Sequence, residues 1–154
     1  MKKICLFSLI FIIVDVVIKI IVSRYITLYD SIVLIPNFFA ITYVRNTGAA
    51  FSVLENNRIL FIVIGLVAIY LVYRFLIKDK SLNKLSIISY SMLLGGIIGN
   101  MIDRIVYGYV IDYLSFNIFG YNFPVFNLAD TFIVVSVILI IINEGVISRG
   151  RINS

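Results

Sequence analysis

The stretch 125-VFNLADTFIVVSVILIII-142 decides the fold of this chain. Its apolar run is close to the ~20 residues that a helix needs to cross the ~30 Å hydrocarbon core of a bilayer. Its first turns nevertheless carry an amide at Asn127 and a carboxylate at Asp130. Because an ionisable group inside a membrane span is costly, it indicates either a functional site or a structural polar contact between helices.

The whole chain has the composition of an integral membrane protein. Hydrophobic residues make up 62% of its 154 positions and charged residues only 14%, against roughly a quarter charged in an average globular protein. The length predicts a single domain, 1–154. Four apolar stretches predict spans at about 4–23, 58–77, 85–104 and 125–143, joined by excursions 24–57 and 105–124.

The N-terminal span could instead be a cleaved secretory signal, because Lys2 and Lys3 precede an apolar run. No small-residue cleavage site follows, and the run continues past Asp15 and Lys19 to Val22. We therefore expect a retained first span.

Lysine and arginine concentrate on the cytoplasmic side of membrane proteins, so their positions predict the orientation. Basic residues precede the first span, crowd the link between the second and third, and follow the fourth: Lys2, Lys3, Arg74, Lys78, Lys80, Lys84, Arg149 and Arg151. The excursion 105–124 contains none. Both termini are therefore predicted to be cytoplasmic. The net charge of +5 is a topology signal that suits anionic membrane lipids and needs no nucleic acid to explain it.

The two excursions are not polar linkers. Residues 31–52 are rich in β-branched and aromatic side chains and contain a turn-like Asn46-Thr47-Gly48, which predicts a small strand-bearing element. Residues 107–123 are dense in Tyr and Phe, which settle at the membrane interface. The predicted fold is an all-α membrane protein of four transmembrane helices with a small extracytoplasmic β-containing element.

Polar residues of the spans converge on one layer near the outer surface when depth is counted at ~1.5 Å per helical residue. The layer contains Asp15 and Lys19 of the first span, residues 100–104 of the third, and Asn127 and Asp130 of the fourth. A structural clamp between helices is the alternative explanation of such a layer.

The side chains present limit the chemistry of this layer. The chain has no histidine and one cysteine, Cys5, which excludes histidine-assisted nucleophiles, the usual zinc sites and disulfides within the chain. Asp15 and Lys19 are four residues apart and can neutralise one another on a helix face. Asp112 and Asp130 have no basic neighbour in sequence. Two such carboxyls brought together share one proton, which gives the acid and base of an aspartic protease.

Three other readings of the same residues remain open. A serine activated by Lys19 could act as a nucleophile, using Ser23 four positions on or Ser52 from the first excursion. A transporter or proton-coupled channel could also use carboxylates within the membrane, although these acids lie in one layer and mark no path across it. A structural subunit of a larger complex would need no catalytic pair.

Five motifs in order resemble the bacterial lipoprotein signal peptidases, type II. They are Asp15-x-x-x-Lys19, RNTGAAFS (45–52), GNMIDR (99–104), GYVIDYL (108–114) and FPVFNLAD (123–130). The resemblance covers essentially the whole chain. It implies an aspartyl endopeptidase with Asp112 and Asp130 as the catalytic pair. It also implies substrate-binding positions at Asn46, Gly48, Asn100, Arg104, Asn127 and Ala129, with Asp15 and Lys19 as structural support.

The same resemblance implies the substrate and the location. The enzyme would remove the signal peptide of a prolipoprotein after a diacylglyceryl group is attached to the cysteine that becomes the new N-terminus. It implies a multi-pass protein of the bacterial cytoplasmic (inner) membrane, with the active site near the extracytoplasmic face. We expect no cofactor, no metal and no obligate protein partner.

Overall fold

The computed structural model describes residues 1–48, 57–77 and 82–152. In these residues the chain forms four helices and a small antiparallel sheet. The helices are α1 (Lys2–Tyr25), α2 (Arg58–Leu71), α3 (Lys84–Val106) and α4 (Leu128–Ile152), and the strands are β1 (Ser31–Ile35), β2 (Phe39–Asn46), β3 (Val110–Ile118) and β4 (Tyr121–Asn122). Residues 49–52 of the RNTGAAFS motif, and Lys78 and Lys80, for which the sequence makes predictions, lie outside the described residues.

Each predicted apolar stretch corresponds to a helix, with corrected ends. The second stretch ends in a π-helical turn, Val72–Ile77, that continues α2. The fourth helix begins at Leu128 and not at 125, because the preceding residues pair with β3 through a bridge between Leu114 and Phe126. Asn127 therefore lies just before the helix instead of within its first turns.

Two described helices are long and apolar enough to cross a membrane. They are α1, with a mean hydropathy of 2.9, and α3, with 1.6. Within the most apolar 18 residues of each helix, only 22% of α1 is buried inside the protein, against 50% of α3. A helix that is apolar all round and mostly uncovered by protein needs a nonpolar solvent, so this difference suits α1 to a lipid-facing position.

Helix α3 lies at the centre, where α1, α2 and α4 pack against it. Close approach depends on three glycines. A side chain at Gly95 would meet Phe11 of α1, one at Gly99 would meet Asp15 of α1, and one at Gly96 would meet Ala129 of α4. Gly95 and Gly99 have the G-x-x-x-G spacing that lets helices approach closely, and both lie against α1.

The sheet packs over one end of the bundle, called here the sheet end. Its strands are antiparallel in the order β1-β2-β3-β4. The register between β2 and β3 shifts between Ile41 and Val44, so β2 carries one extra residue there. A core of Tyr43, Ile111 and Tyr113 from the sheet packs on Val22 and Ile26 at the end of the first helical segment.

A cluster of polar side chains joins α3 and α4 at the end of the bundle away from the sheet. Asn83 caps α3 by accepting a hydrogen bond from the Ser86 amide at 2.8 Å, and its side chain donates to Asn143 Oδ1 at 2.8 Å. Asn143 in turn donates to Ser86 Oγ at 2.9 Å. Because this cluster contains amides and hydroxyls without an ionisable group, we interpret it as an interhelical clamp.

Candidate active site

A cavity of about 440 Å³ opens between α2, α3, α4 and β3 at the sheet end. Its polar lining comes from six of the residues singled out in the sequence: Asn46, Gly48, Asn100, Arg104, Asp112 and Asp130. The two carboxyls that lack basic neighbours in the sequence therefore face the same space. Its volume is within the range of small-molecule and peptide side-chain pockets.

Asp112 reaches the cavity from β3 and is 2% exposed. Its Oδ1 accepts a hydrogen bond from Asn127 Nδ2 at 2.7 Å, and its Oδ2 accepts one from Asn46 Nδ2 at 2.8 Å. Asn46 lies on the neighbouring strand β2, two residues beyond the position opposite Asp112. Pairing of the two strands thus delivers the carboxyl and one of its two amide donors together.

Asp130 reaches the cavity from the first turn of α4. Its Oδ2 accepts a hydrogen bond from the Asn127 amide at 3.1 Å, while Asn127 Oδ1 accepts one from the Asp130 amide at 2.9 Å. This reciprocal arrangement is a capping box, with aspartate in the place where glutamate is more common. Asp130 Oδ1 accepts a further hydrogen bond from Asn100 Nδ2 at 2.7 Å.

Asn100 connects the carboxyl of α4 to a buried cation. Its Oδ1 accepts hydrogen bonds from Lys19 Nζ and Asn127 Nδ2, both at 3.0 Å. Its Nδ2 group donates to Asp130. A single side chain on α3 thus fixes the orientation of groups from α1 and from both ends of the capping box.

Lys19 is 1% exposed and pairs with two carboxylates. Its Nζ lies 2.7 Å from Asp15 Oδ2 and 3.0 Å from Asp103 Oδ2. The sequence predicted the contact with Asp15. Asp15 also accepts from the Ala129 amide at 3.0 Å, and Asp103 from the Ile111 amide at 3.0 Å. The ion cluster therefore ties α1 and α3 to the starts of α4 and β3.

Arg104 contacts the cavity from the end of α3. It donates to the Gly48 carbonyl at 3.0 Å and to the Asn100 carbonyl at 3.4 Å, and its guanidinium lies 4.7 Å from the centre of the Phe61 ring. The amide of Gly48 donates to Asn46 Oδ1 at 2.9 Å. The two predicted positions Asn46 and Gly48 thus form a turn that Arg104 holds against the cavity.

Ala129 is 0% exposed and lies behind the cavity wall, where it packs on α3. Its amide donates to Asp15, so it contributes to the site through the position of the α4 start. Ser23, the alternative nucleophile, is exposed and donates to the Ile20 carbonyl at 3.1 Å. The hydrogen bond that the structure gives Ser23 is thus to a backbone carbonyl and not to Lys19. Ser52 lies outside the described residues.

The rest of the cavity is apolar. This part is lined by Phe61, Ile64 and Ala68 of α2, Ile97 and Met101 of α3, and Ile133 of α4. No sequence pattern singles out these residues, because each is of a type that is common in membrane helices. The cavity therefore changes from polar at the carboxyls to apolar along the helices.

Burial, and after it the nearby charge of Asp130, raise the pKa of Asp112 from 3.8 to about 7. Hydrogen bonds from Asn46 and Asn127 oppose this shift without cancelling it. Two carboxyls in one buried cavity resist double ionisation, so a single shared proton is expected near neutral pH. Such a pair can provide an acid and a base from the same side-chain type.

The comparisons with known proteins agree on one family. A family model described as signal peptidase II matches residues 7–145. Lipoprotein signal peptidases of Staphylococcus aureus strains JH9 and Newman are 41% identical over 131 residues, which cover 85% of this chain and 80% of theirs.

Two solved structures, each described as a bacterial membrane enzyme determined by the in meso method, are 40% identical to the chain. The first has a TM-score of 0.83, and its match covers 94% of this chain and 88% of the solved chain. The second has a TM-score of 0.80, and its match covers 94% of this chain and 93% of the solved chain. Since the matched residues span all four helices and the sheet, the chain belongs to the signal peptidase II family of peptidases.

Proposed function

We propose that this chain removes the signal peptide from diacylglyceryl-modified prolipoproteins and cuts on the N-terminal side of the lipidated cysteine. Asp112 and Asp130 are the catalytic pair. One observation carries this assignment: both carboxyls line one cavity, and each is held by side-chain amides. The family match supplies the reaction class, and the amphipathic cavity suits a substrate that is part peptide and part lipid.

The division of labour follows from the pKa of Asp112, which is raised to about 7. At neutral pH Asp112 holds the shared proton and donates it to the oxygen of the scissile carbonyl. Asp130 takes a proton from a water molecule, whose oxygen then bonds to the carbonyl carbon. As the resulting diol collapses, one of its hydroxyl groups returns a proton to Asp112, the C–N bond breaks, and the proton held by Asp130 passes to the leaving amine.

The remaining polar groups orient the two carboxyls and position the substrate. Asn46 and Asn127 orient Asp112, and Asn100 orients Asp130. Arg104 and Gly48 provide a donor and a backbone edge for an extended peptide. Asp15 and Lys19 support the site from below by fixing the start of α4, and Ala129 provides the amide through which they do so.

The polarity of the cavity indicates how a lipidated substrate would lie. Diacylglyceryl chains cannot leave the bilayer, so the bond next to the modified cysteine is held near the membrane surface. In the cavity the carboxyls occupy the polar end, and Phe61, Ile64 and Ile133 continue the apolar wall along the helices. A peptide at the carboxyls could therefore keep its lipid beside an apolar surface.

The membrane arrangement is part of the proposal. All four helices cross the bacterial cytoplasmic membrane, both termini are cytoplasmic, and the sheet end with its cavity is extracytoplasmic. The ends of the helices away from the sheet carry Lys2, Arg74 and Lys84, and these basic residues support this orientation. Replacing Cys5, the one cysteine of the sequence, by serine leaves a background for single cysteines. Asn117→Cys, in β3, is expected to react with an impermeant maleimide from outside intact spheroplasts, and Lys2→Cys only after lysis.

The catalytic assignment is tested with the purified protein alone, reconstituted with a prolipoprotein peptide that carries the diacylglyceryl cysteine. Asp112→Asn and Asp130→Asn are each expected to lower the cleavage rate at least about 100-fold. Asp30→Asn is the matched control, because Asp30 is exposed and contacts the Ser31 amide at the start of β1. The control should cleave like the unaltered protein.

The same peptide without lipid, and one with serine in place of the modified cysteine, test the substrate. We expect neither to be cleaved efficiently. Cleavage that persists in either aspartate variant with the fold intact would refute the catalytic pair. Equal cleavage of the unlipidated peptide would refute the requirement for the diacylglyceryl group.

A further inference from the structure

The first turn of α4 has three amide N–H groups that the helix itself cannot satisfy, and a side chain satisfies each of them. Ala129 donates to Asp15 of α1, and Asp130 donates to Asn127 within the capping box. Leu128 donates to the hydroxyl oxygen of Tyr113 at 3.2 Å. The mechanism described above uses the first two contacts and leaves the third unexplained.

Tyr113 follows Asp112 on β3, so the two side chains project to opposite faces of the strand. Asp112 faces the cavity, whereas Tyr113 is 3% exposed in the core that contains Val22 and Ile26. Strand β3 pairs through its backbone with the segment before α4, and this pairing ends at Phe126. The Phe126 carbonyl accepts hydrogen bonds from the amides of Tyr113 at 3.0 Å and Leu114 at 2.7 Å. The tyrosine hydroxyl extends this connection onto the helix itself.

We propose that Tyr113 is a positioning residue whose hydroxyl fixes the distance between Asp112 and Asp130. One end of the tyrosine is covalently next to Asp112, and its other end holds the N–H two residues before Asp130. Asp15 and Asn127 also hold the start of α4, but Asp15 does so from α1 and Asn127 from α4's own N-cap. This inference rests on the proposed function, since it concerns the separation of the proposed catalytic pair.

The charges around the pair make that separation measurable. Asp112 interacts electrostatically with Asp130 of α4 and Lys19 of α1, and Arg104 of α3 interacts with both carboxyls. The negative charge of Asp130 raises the pKa of Asp112, so a larger separation would lower it. The pKa of the Tyr113 hydroxyl is itself raised, by burial and then by Asp15, so the contact stays neutral while Asp112 titrates.

Tyr113→Phe removes the oxygen and retains the ring. We expect kcat to fall about tenfold with KM little changed, because displaced catalytic groups weaken the transition state more than substrate binding. The alkaline limb of the pH profile should move to lower pH. Tyr43→Phe is the matched control: Tyr43 is buried in the same core, and its hydroxyl accepts from Arg45 Nε at 3.1 Å. It should retain the unaltered kcat and pH profile.

A second variant removes the same hydrogen bond from its donor side. Leu128→Pro eliminates the N–H at the first helical position, where proline is well tolerated. It should produce the same shift in the alkaline limb. Tyr113→Phe combined with Leu128→Pro should shift the limb no further than either single variant, because both remove one bond.

An unchanged alkaline limb in Tyr113→Phe would overturn the proposal. So would equal losses of kcat in Tyr113→Phe and Tyr43→Phe, since these would indicate a general packing effect. The aspartate variants separate this failure from failure of the proposed function. If Asp112→Asn and Asp130→Asn are inactive while Tyr113→Phe behaves like the unaltered protein, the positioning role alone is refuted. If either aspartate variant remains active, the catalytic pair is refuted instead.

Discussion

Asn127 and Asp130 hold each other through two reciprocal hydrogen bonds, each from the backbone amide of one to the side chain of the other. The cap that starts α4 and the orientation of a cavity carboxyl are therefore one structural unit. Asn127 has a second task, because its Nδ2 group donates to Asn100 and Asp112. These two tasks can be separated by substitution.

Asn127→Ser should separate them, because serine caps a helix well but lacks the amide donors. We expect Asn127→Ala to be less stable than Asn127→Ser by about 1 kcal/mol. Both variants should lose most cleavage activity, since both lack the donor to Asp112. Denaturation in detergent and peptide cleavage measure the two effects. An active Asn127→Ser variant would show that capping alone suffices.

The raised pKa of Asp112 predicts a pH dependence of stability with a definite sign. Its pKa in the folded state, about 7, lies above its ordinary value of 3.8. Asp112 therefore favours folding below the lower value, and this contribution is lost as the pH rises through the upper one. Thermal unfolding between about pH 5 and pH 8 should thus show a smaller decrease in Tm for Asp112→Asn than for the unaltered protein. Parallel curves would contradict the prediction.

The same titration predicts the alkaline limit of activity. One carboxyl of the pair must carry a proton, so the rate of cleavage should fall as the pH rises through about 7. The measurement is kcat/KM against pH with the lipidated peptide. A rate that stays constant well above this pH would mean that Asp112 does not supply the shared proton.

Lys19→Met should destabilise the protein by about 3–5 kcal/mol, because it leaves two buried carboxylates without their cation. Loss of activity would follow from loss of the α4 start.

Ser23→Ala tests the alternative nucleophile and should retain full activity, since the Ser23 hydroxyl contacts the Ile20 carbonyl. An inactive Ser23→Ala variant with a normal melting curve would favour serine chemistry.

Gly99→Ala should destabilise the protein by about 1–3 kcal/mol, because an added methyl group overpacks a close helix contact. The new Cβ would lie 2.7 Å from Asp15 Oδ2, within the ion cluster. Gly65→Ala is the control, since its Cβ would lie 3.1 Å from the sulfur of Met101, a flexible side chain. Thermal unfolding in detergent should rank the two. Equal stabilities would show that α1 can move away from α3.

The sequence was informative where one physical rule dominates. Apolar length predicted each helix, and turn chemistry at Asn46–Gly48 predicted the strand-bearing element that contains β1 and β2. The depth count placed Asp15, Lys19 and Asn100 in one layer, and hydrogen bonds and ion pairs now connect them. The catalytic roles of Asp112 and Asp130 stay predictions, although their common cavity is what those roles require.

Other features depend on contacts that no local pattern reveals. Lys19 reaches Asp103 across 84 positions of sequence only because Gly95 and Gly99 let α1 approach α3. The hydroxyl of Tyr113 meets Leu128 because β3 pairs with the segment before α4. The late start of α4 could have been found, because Asn127-x-x-Asp130 is spaced as a capping box. The apolar composition of 125–126 concealed it.

Helix α2 forms one wall of the cavity without a single fully buried side chain of its own. Substitutions along that wall would cost little folding free energy, whereas those around Lys19 or Asn127 would disturb the whole fold. An inhibitor that gains its affinity from Phe61, Ile64 or Ala68 would therefore select resistant variants readily. One anchored on the amides around Asp112 and Asp130 would leave the enzyme few substitutions compatible with an intact fold and site.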